Sequence, residues 1–308
     1  MKKKSILITG VAGFIGSSLA NSLDKNKYTI YGIDDLSNGL KSSVPKEVIF
    51  FKQDLSKKVP KKLEKNNINI DFIFHFAGQS SGEISFEDPI SDLQKNTIST
   101  LNLINFSIKK KIKKFFYMSS MSVYGDANNV NEKSNLNPKT CYGVSKLSSE
   151  YYLKVFKKEL NFVIFRLFNV YGPTQKLNNL KQGMIRIFMT QLINNNTIII
   201  KGSLNRTRDF IYIDDVIKIF HSSMNIRNIS NKIFNVGTGN KTTIKKIIYL
   251  LKKLHKDTSV DIISGTKGDQ KNIYANIRNL KETYKIRNFT SIEDGIKIFY
   301  SRVKKWNS

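Results

Sequence analysis

The strongest constraint on this chain lies at its start, where the short apolar run Ser5–Thr9 meets Gly10-Val11-Ala12-Gly13-Phe14-Ile15-Gly16. Three glycines at three-residue spacing mark only a turn when they stand alone. Here a strand precedes them, and a helical pattern, Phe14–Leu23, begins inside them. A strand, a glycine turn and a helix in that order let the backbone approach a pyrophosphate. The helix N-terminus then offers free N–H groups and the positive end of its dipole.

The pattern continues as it starts. Tyr28–Ile33, Val48–Phe51, Phe72–Phe76, Lys114–Met118 and Phe162–Leu167 read as further strands, compact enough to be buried on both faces. Between them Ile90–Lys109 and Gly143–Lys158 show apolar residues at three- and four-residue spacing, as helices do. This alternation predicts an α/β fold with a doubly wound parallel sheet. Beyond Pro173 comes a polar loop, Gln175–Gly183, then a helix, Met184–Ile193, and short strands at Ile198–Lys201 and Asp209–Ile213. A helix at Val216–Met224 and a late strand, Ile233–Val236, come next, and the segment from Thr242 is mostly helical with short strands. The later excursions predict a smaller mixed α/β lobe beside the sheet.

Strand two ends in Gly32-Ile33-Asp34-Asp35. A carboxylate about twenty residues after the glycines can accept hydrogen bonds from an adenosine ribose. It would repel a 2′-phosphate, so the expected cofactor is NAD rather than NADP.

A second constellation is Tyr142-Gly143-Val144-Ser145-Lys146, whose spacing of four puts Tyr142 and Lys146 on one helix face. A free phenol, with a pKa of about 10, is a poor base at neutral pH. A neighbouring ammonium and a positive nicotinamide would bring it into a working range. Upstream, Ser119-Ser120-Met121-Ser122-Val123-Tyr124-Gly125 comes after strand five, at the carboxyl edge where doubly wound sheets bind ligands.

The balance of 51 basic against 24 acidic residues, a formal charge of +27, invites a nucleic-acid reading. Only eight of the basic residues are Arg, and the lysines are scattered along the whole chain. With no aromatic-interleaved basic stripe and no zinc-ligand spacing, neither a nucleic-acid partner nor a metal is expected. The excess charge can still draw in an anionic nucleotide. Met1-Lys2-Lys3-Lys4 runs into too short an apolar stretch for a signal peptide. No segment approaches about 20 uninterrupted apolar residues, so no membrane span is expected. The single cysteine, Cys141, leaves no internal disulfide and suits a reducing compartment. A cytoplasmic protein is the expectation.

Taken together these motifs resemble the extended short-chain dehydrogenase/reductase family, in its nucleotide-sugar epimerase/dehydratase branch, along nearly the whole chain. The resemblance implies an NAD-binding Rossmann domain over residues 1–172, rejoined by a strand near 233–237, and a mainly substrate-binding lobe over 173–308. For the cofactor it implies Gly10, Gly13, Phe14, Ile15, Gly16 and Asp34, with Asp54 and Leu55 near the adenine. His75-Phe76-Ala77-Gly78 resembles the segment after strand four that passes the cofactor, so Phe76 and Ala77 join this set, as do Asn96 and the pair Tyr142 and Lys146. Catalysis falls to Tyr142, Lys146 and Ser120.

On the substrate side the resemblance implies Ser81, Ser120 and Ser122 near the sugar, and Ile273 at its C2 substituent. Arg166-Leu167-Phe168-Asn169 matches the segment whose Asn contacts the diphosphate, and Arg206-Thr207-Arg208-Asp209 the segment whose Arg, here Arg208, neutralises phosphate. A guanidinium fork suits phosphate oxygens. Two departures stand out. Thr266-Lys267-Gly268-Asp269 replaces the family's Arg-Pro-Gly-Asp, and Ala275-Asn276-Ile277-Arg278-Asn279 replaces its Ala-Asp-x-Ser-Lys, leaving Lys267 or Arg278 to compensate for a missing arginine.

For a 4-epimerase the resemblance implies that Tyr142 takes the sugar 4-hydroxyl proton while the C4 hydride passes to NAD. A 4-keto sugar then turns and is reduced on its other face, while Lys146 keeps Tyr142 ionised and Ser120 holds the reacting oxygen. A 4,6-dehydratase needs an Asp-Glu pair after that hydroxyl residue, where this chain has Met121 and Ser122. Without those proton-transfer groups epimerisation is favoured over elimination. A UDP-hexose is the expected substrate. A reductase, a decarboxylase and a non-catalytic dinucleotide sensor stay open as alternatives. The resemblance also implies a homodimer through the helices at 90–109 and 143–158, with Leu101, Ile104, Tyr151 and Phe156 serving either that interface or the core.

Overall fold

The computed structural model describes residues 3–173 and 183–307. In chain order it opens with β1 (Lys4–Thr9), α1 (Phe14–Ser22), β2 (Tyr28–Asp34), β3 (Ile49–Lys52) and β4 (Phe72–His75). Then come α2 (Ile84–Glu87), α3 (Pro89–Leu93), α4 (Ser99–Lys109), β5 (Lys114–Ser120), β6 (Ala127–Val130), α5 (Cys141–Val155) and β7 (Phe162–Leu167). The later part holds β8 (Asn169–Tyr171), α6 (Met184–Asn195), β9 (Thr197–Lys201), β10 (Thr207–Arg208), β11 (Phe210–Tyr212) and α7 (Ile213–Ser223). It ends with β12 (Lys232–Val236), β13 (Thr242–Thr243), α8 (Ile244–Leu254), β14 (Ser259–Ile263), β15 (Ile273–Ala275), α9 (Arg278–Tyr284) and α10 (Ile292–Asn307).

Seven strands form one parallel sheet in the order β12-β7-β5-β4-β1-β2-β3. The order reverses between β1 and β4, and a crevice opens outside the carboxyl ends at such a switch point. The expected fold class holds, including the late strand, since β12 pairs with β7 at the sheet edge.

The central strands β1, β4, β5 and β7 are buried on both faces, which is why they read as apolar runs rather than alternating ones. On one face Phe74, Phe116, Phe165 and Phe234 step across β4, β5, β7 and β12, the first two rings stacked at 4.4 Å, with Phe220 of α7 over Phe74 and Phe165. On the other, Leu7, Ile73, Phe115 and Tyr117 pack with Leu103 and Ile104 of α4.

Three boundaries differ from the sequence reading in ways that matter for the site. The expected helix over 90–109 is broken into α3 and α4 by a π turn, Gln94–Ile98. There the carbonyls of Lys95 and Asn96 accept hydrogen bonds from the hydroxyls of Ser99, Thr100 and Ser149. Those side chains compete with the helix's own ladder, and a single π turn is the usual accommodation. α5 starts two residues early, capped by Thr140, whose Oγ1 accepts from the Gly143 N–H at 3.0 Å. β5 runs on to Ser120, so that serine ends a fully buried strand. The expected loop Gln175–Gly183 lies outside the described residues as far as 182.

Candidate active site

A cleft with a cavity volume of about 400 Å³ opens at the switch point, and its floor is the glycine turn. Gly10 has φ +66°, and a Cβ there would sit 2.7 Å from the Ala77 nitrogen. A Cβ on Gly16 would sit 2.2 Å from the Gly10 carbonyl oxygen. The glycines therefore let β1, α1 and the segment after β4 close on one another. α1 begins at Phe14 with Gly13 in the N-cap position and no side-chain cap, so its N-terminus faces the cleft without a competing carboxylate. Gly10, Gly13, Phe14, Ile15 and Gly16 all line the cleft, as do Phe76 and Ala77.

At the far end stand three carboxylates. Asp34 accepts the Ala12 and Leu36 N–H groups, both at 2.9 Å, one on each oxygen. Each oxygen keeps a lone pair for a ribose hydroxyl. Burial raises its pKa against the pull of those backbone bonds. Asp54 is held by Ser56, and Lys95 bridges Asp54, at 3.1 Å, to Asp35. Burial works against both carboxylates, but the Lys95 and serine contacts outweigh it and hold Asp35 and Asp54 below the usual range. Leu55 lines the same end. Sequence reasoning passed over Lys95, and its position on the π turn is what aims it here.

Asn96 stands behind the cleft wall rather than on it, covered by Gly78. Its Oδ1 is buried without a hydrogen-bond partner, next to Gly78, where a Cβ would come within 2.4 Å of it. The uncapped helix end and the ribose carboxylate together fit a dinucleotide.

The catalytic candidates meet at the carboxyl end of β5. Tyr142 lies in the first turn of α5 and Lys146 one turn on, both buried and both on the cleft wall. The Tyr142 hydroxyl is close enough to Ser120 for that side chain to favour its ionised form. Ser120 in turn bonds the Ser122 Oγ and accepts the Ser122 N–H, each at 3.1 Å. The Lys146 ammonium lies 5.1 Å from the Tyr117 ring centre and 5.9 Å from that of Tyr142.

Burial dominates both titrations. It lowers Lys146 to about 8, opposed by the negative charges of Asp92 and Glu150. It pushes Tyr142 up to about 12, helped by Asp92 and opposed by Ser120. Protein groups alone therefore leave the phenol neutral at pH 7, more protonated than the sequence reading expects from Lys146.

Two supports behind this centre escaped the sequence reading. Ser119 donates to Glu150 at 2.5 Å, and Glu150 takes the Arg166 guanidinium in a two-pronged ion pair that locks α5 to β7. Asp92, on α3, receives Ser145 and Asn96 and anchors Gln79 of the loop after β4.

The remaining predicted residues separate into two groups. Ser122 and Asn169 line the cleft, Asn169 donating to the Asp209 carbonyl. Ser81 lies behind the wall formed by Ser80 and Gly82, its Oγ accepting the Ile84 N–H. Arg208 is buried outside the wall, paired with Asp269 at 2.7 Å, an anion it shares with Arg206. Ile273 is wholly buried in the core on β15 rather than exposed to the cleft. Neither candidate substitute for the missing arginine reaches the cleft wall. Lys267 lies over the Phe86 ring and Arg278 pairs with Glu282 at the surface.

Residues 6–237 match the model of the NAD dependent epimerase/dehydratase family. The chain belongs to that family. A solved UDP-glucose 4-epimerase from Thermotoga maritima, in complex with UDP-glucose, superposes with a TM-score of 0.92 at 31% identity, covering 99% of this chain and 100% of that one. The UDP-glucose 4-epimerase of Mycolicibacterium smegmatis is 31% identical over 78% of this chain and 79% of its own. The dTDP-D-glucose 4,6-dehydratase of Dictyostelium discoideum is 33% identical over 80% of this chain and 62% of its own. The chain's relatives thus include both epimerases and dehydratases. No helix among the described residues is long and apolar enough to cross a membrane.

Proposed function

We propose that this protein is an NAD-dependent 4-epimerase of a UDP-hexose, with UDP-glucose and UDP-galactose as the first pair to test. The observation behind this is the distribution of acids in the cleft. Among its described lining residues the carboxylates are Asp34, which ends β2, Asp35 just beyond it, and Asp54 after β3, all at the adenosine end. Beside Tyr142 and Ser120 stand Met121 and Ser122, neither able to serve as the acid or base that eliminating water requires. What remains is a centre for reversible oxidation.

NAD, when bound, supplies the hydride acceptor and donor and a positive ring. Tyr142, as phenolate, removes the 4-hydroxyl proton of the sugar and returns it after the keto sugar has turned. Ser120 holds the reacting oxygen against Tyr142. Lys146 stabilises the phenolate and holds the nicotinamide ribose, with Asn96 alongside. Gly10, Gly13, Phe14, Ile15, Gly16, Asp34, Asp54, Leu55, Phe76 and Ala77 seat the rest of the cofactor. Ser81, Ser122, Asn169 and Arg208 serve the substrate, Ser81 and Arg208 from behind the wall. In this reading residues 1–172 with the strand near 233–237 hold the cofactor, and 173–308 mainly the substrate.

The chain works in the cytoplasm as a homodimer. Ile90 and Leu93 of α3 and Val144, Tyr151 and Val155 of α5 expose apolar surface on neighbouring helices, Ile90 and Val155 by about 70%. Such a patch suits a second copy. Ile104, in contrast, is core.

Incubating the purified protein with UDP-glucose or UDP-galactose tests the activity directly. Interconversion without added cofactor, with NAD released on denaturation, is the expected result. A 4-keto-6-deoxy product would replace epimerase by dehydratase, and retained NAD without turnover of any sugar nucleotide would replace both by a sensor.

A further inference from the structure

We propose that Asp92 is a positioning residue, a buried carboxylate that ties the cleft-lining loop after β4 to the catalytic helix and keeps a negative charge near Lys146. The inference rests on the catalytic reading of Tyr142 and Lys146 given above.

Asp92 is 1% exposed, and a carboxylate is rarely buried so deeply without an ion-pair partner. Its hydrogen-bond partners are neutral. Ser145 Oγ donates to Oδ2 at 2.6 Å, while Gln79 Nε2, at 2.9 Å, and Asn96 Nδ2, at 3.1 Å, donate to Oδ1. Gln79 Nε2 also reaches the Ser81 carbonyl at 2.7 Å, and its Oε1 accepts the Ser81 N–H. One side chain thus braces the loop Gly78–Ser81, the π turn and α5 together. Three neutral donors do not balance a buried charge, and the neighbouring cation is Lys146. The charged and titratable groups facing Lys146 are Asp92 from α3, Glu150 and Tyr142 from α5, Tyr117 from β5 and His75 from β4. Glu150 is committed to Arg166, so Asp92 is the carboxylate without an ion-pair partner of its own.

The charge acts on both members of the pair in one direction. It favours the proton on Lys146 and on Tyr142 alike. Removing it at constant shape moves both ionisations to lower pH, whereas removing a merely structural hydrogen bond moves neither.

The direct readout is the nitrogen-15 NMR titration of Lys146 in NAD-loaded full-length protein, assigned through Lys146→Met. It compares wild type with Asp92→Asn and Ser145→Ala. The Lys146 midpoint falls in Asp92→Asn and stays in place in Ser145→Ala, and in turnover assays both limbs of the Asp92→Asn pH profile move to lower pH. A midpoint equal to wild type in Asp92→Asn overturns the proposal, whatever happens to the maximal rate. Should Asp92→Asn fail to fold, Asp92→Ser, which keeps a hydroxyl for Gln79, is read in the same way. The titration needs no turnover. An inactive wild type would therefore remove the epimerase reading while this measurement still judges Asp92.

Discussion

Glu150 grips the Arg166 guanidinium with both oxygens, at 2.9 Å and 2.7 Å, and neither side chain is more than 1% exposed. The pair joins the middle of α5 to β7, about two helical turns along from Tyr142, and Arg166 continues to Tyr124 at 2.8 Å. The geometry of the catalytic turn is therefore referred to the sheet through a desolvated ion pair.

Breaking that pair from one side leaves a charge buried without compensation, at a cost of about 3–5 kcal/mol. Glu150→Gln is expected to lower the unfolding free energy by that order, and the urea midpoint with it. Replacing Glu150 and Arg166 together by apolar residues of similar volume should cost less than the single change. A urea series on the three proteins checks both statements, and a Glu150→Gln midpoint equal to wild type would show that the pair contributes little.

Tyr142→Phe removes the hydroxyl proposed to exchange a proton with the substrate while leaving the ring in its buried seat. General acid–base groups contribute about 10²–10⁴-fold, so turnover should fall by at least the lower figure. Bound NAD, measured by release on denaturation, should be unchanged. Undiminished turnover would take Tyr142 out of the mechanism.

The Lys146 value of about 8 fixes the sign of the alkaline response. In the proposed mechanism the ammonium is required, so the rate should decline as pH rises through that value. Lys146→Arg, charged throughout, should lose that limb while lowering the maximum, because a planar fork does not occupy an ammonium's place. Stability responds the other way. Lys146 titrates lower in the folded than in the unfolded chain, so its burial penalty is relieved as pH rises from about 8 to about 10.5. Opposite slopes of rate and stability across that interval are the signature to measure.

Whether a feature is legible in the sequence depends on how local its causes are. Strands such as Phe72–His75 and Phe162–Leu167 announce themselves because both faces are buried and the apolar run is local. The glycine turn, Asp34 and the Tyr142–Lys146 spacing are also local, and the structure gathers them in one cleft. The π turn at Gln94–Ile98 was not legible, since one of the hydroxyls that draws its carbonyls away belongs to Ser149, on another helix. Asp92 reads in sequence as an acid in a helix's first turn, and only Gln79 and Ser145 make it more. Arg208 and Ile273 fall at motif positions whose side chains the surrounding packing turns toward Asp269 and the core.

The glycine turn allows the sharpest separation of cofactor binding from chemistry. At Gly10 two penalties coincide: φ of +66°, where an L side chain is strained, and backbone atoms of Phe76 and Ala77 within 3.0 Å of any Cβ. Backbone cannot swing aside as a flexible side chain can, so Gly10→Ala must push the segment after β4 away from β1. That segment carries Ala77 and Gly78 into the cleft, with the Asn96 oxygen directly behind Gly78. The expected result is protein that purifies with little or no NAD and regains partial turnover when NAD is added in excess. Tyr142→Phe would behave in the reverse manner, loaded yet inactive. Full retention of NAD by Gly10→Ala, measured on the denatured protein, would mean that the turn is not the floor of the cofactor site.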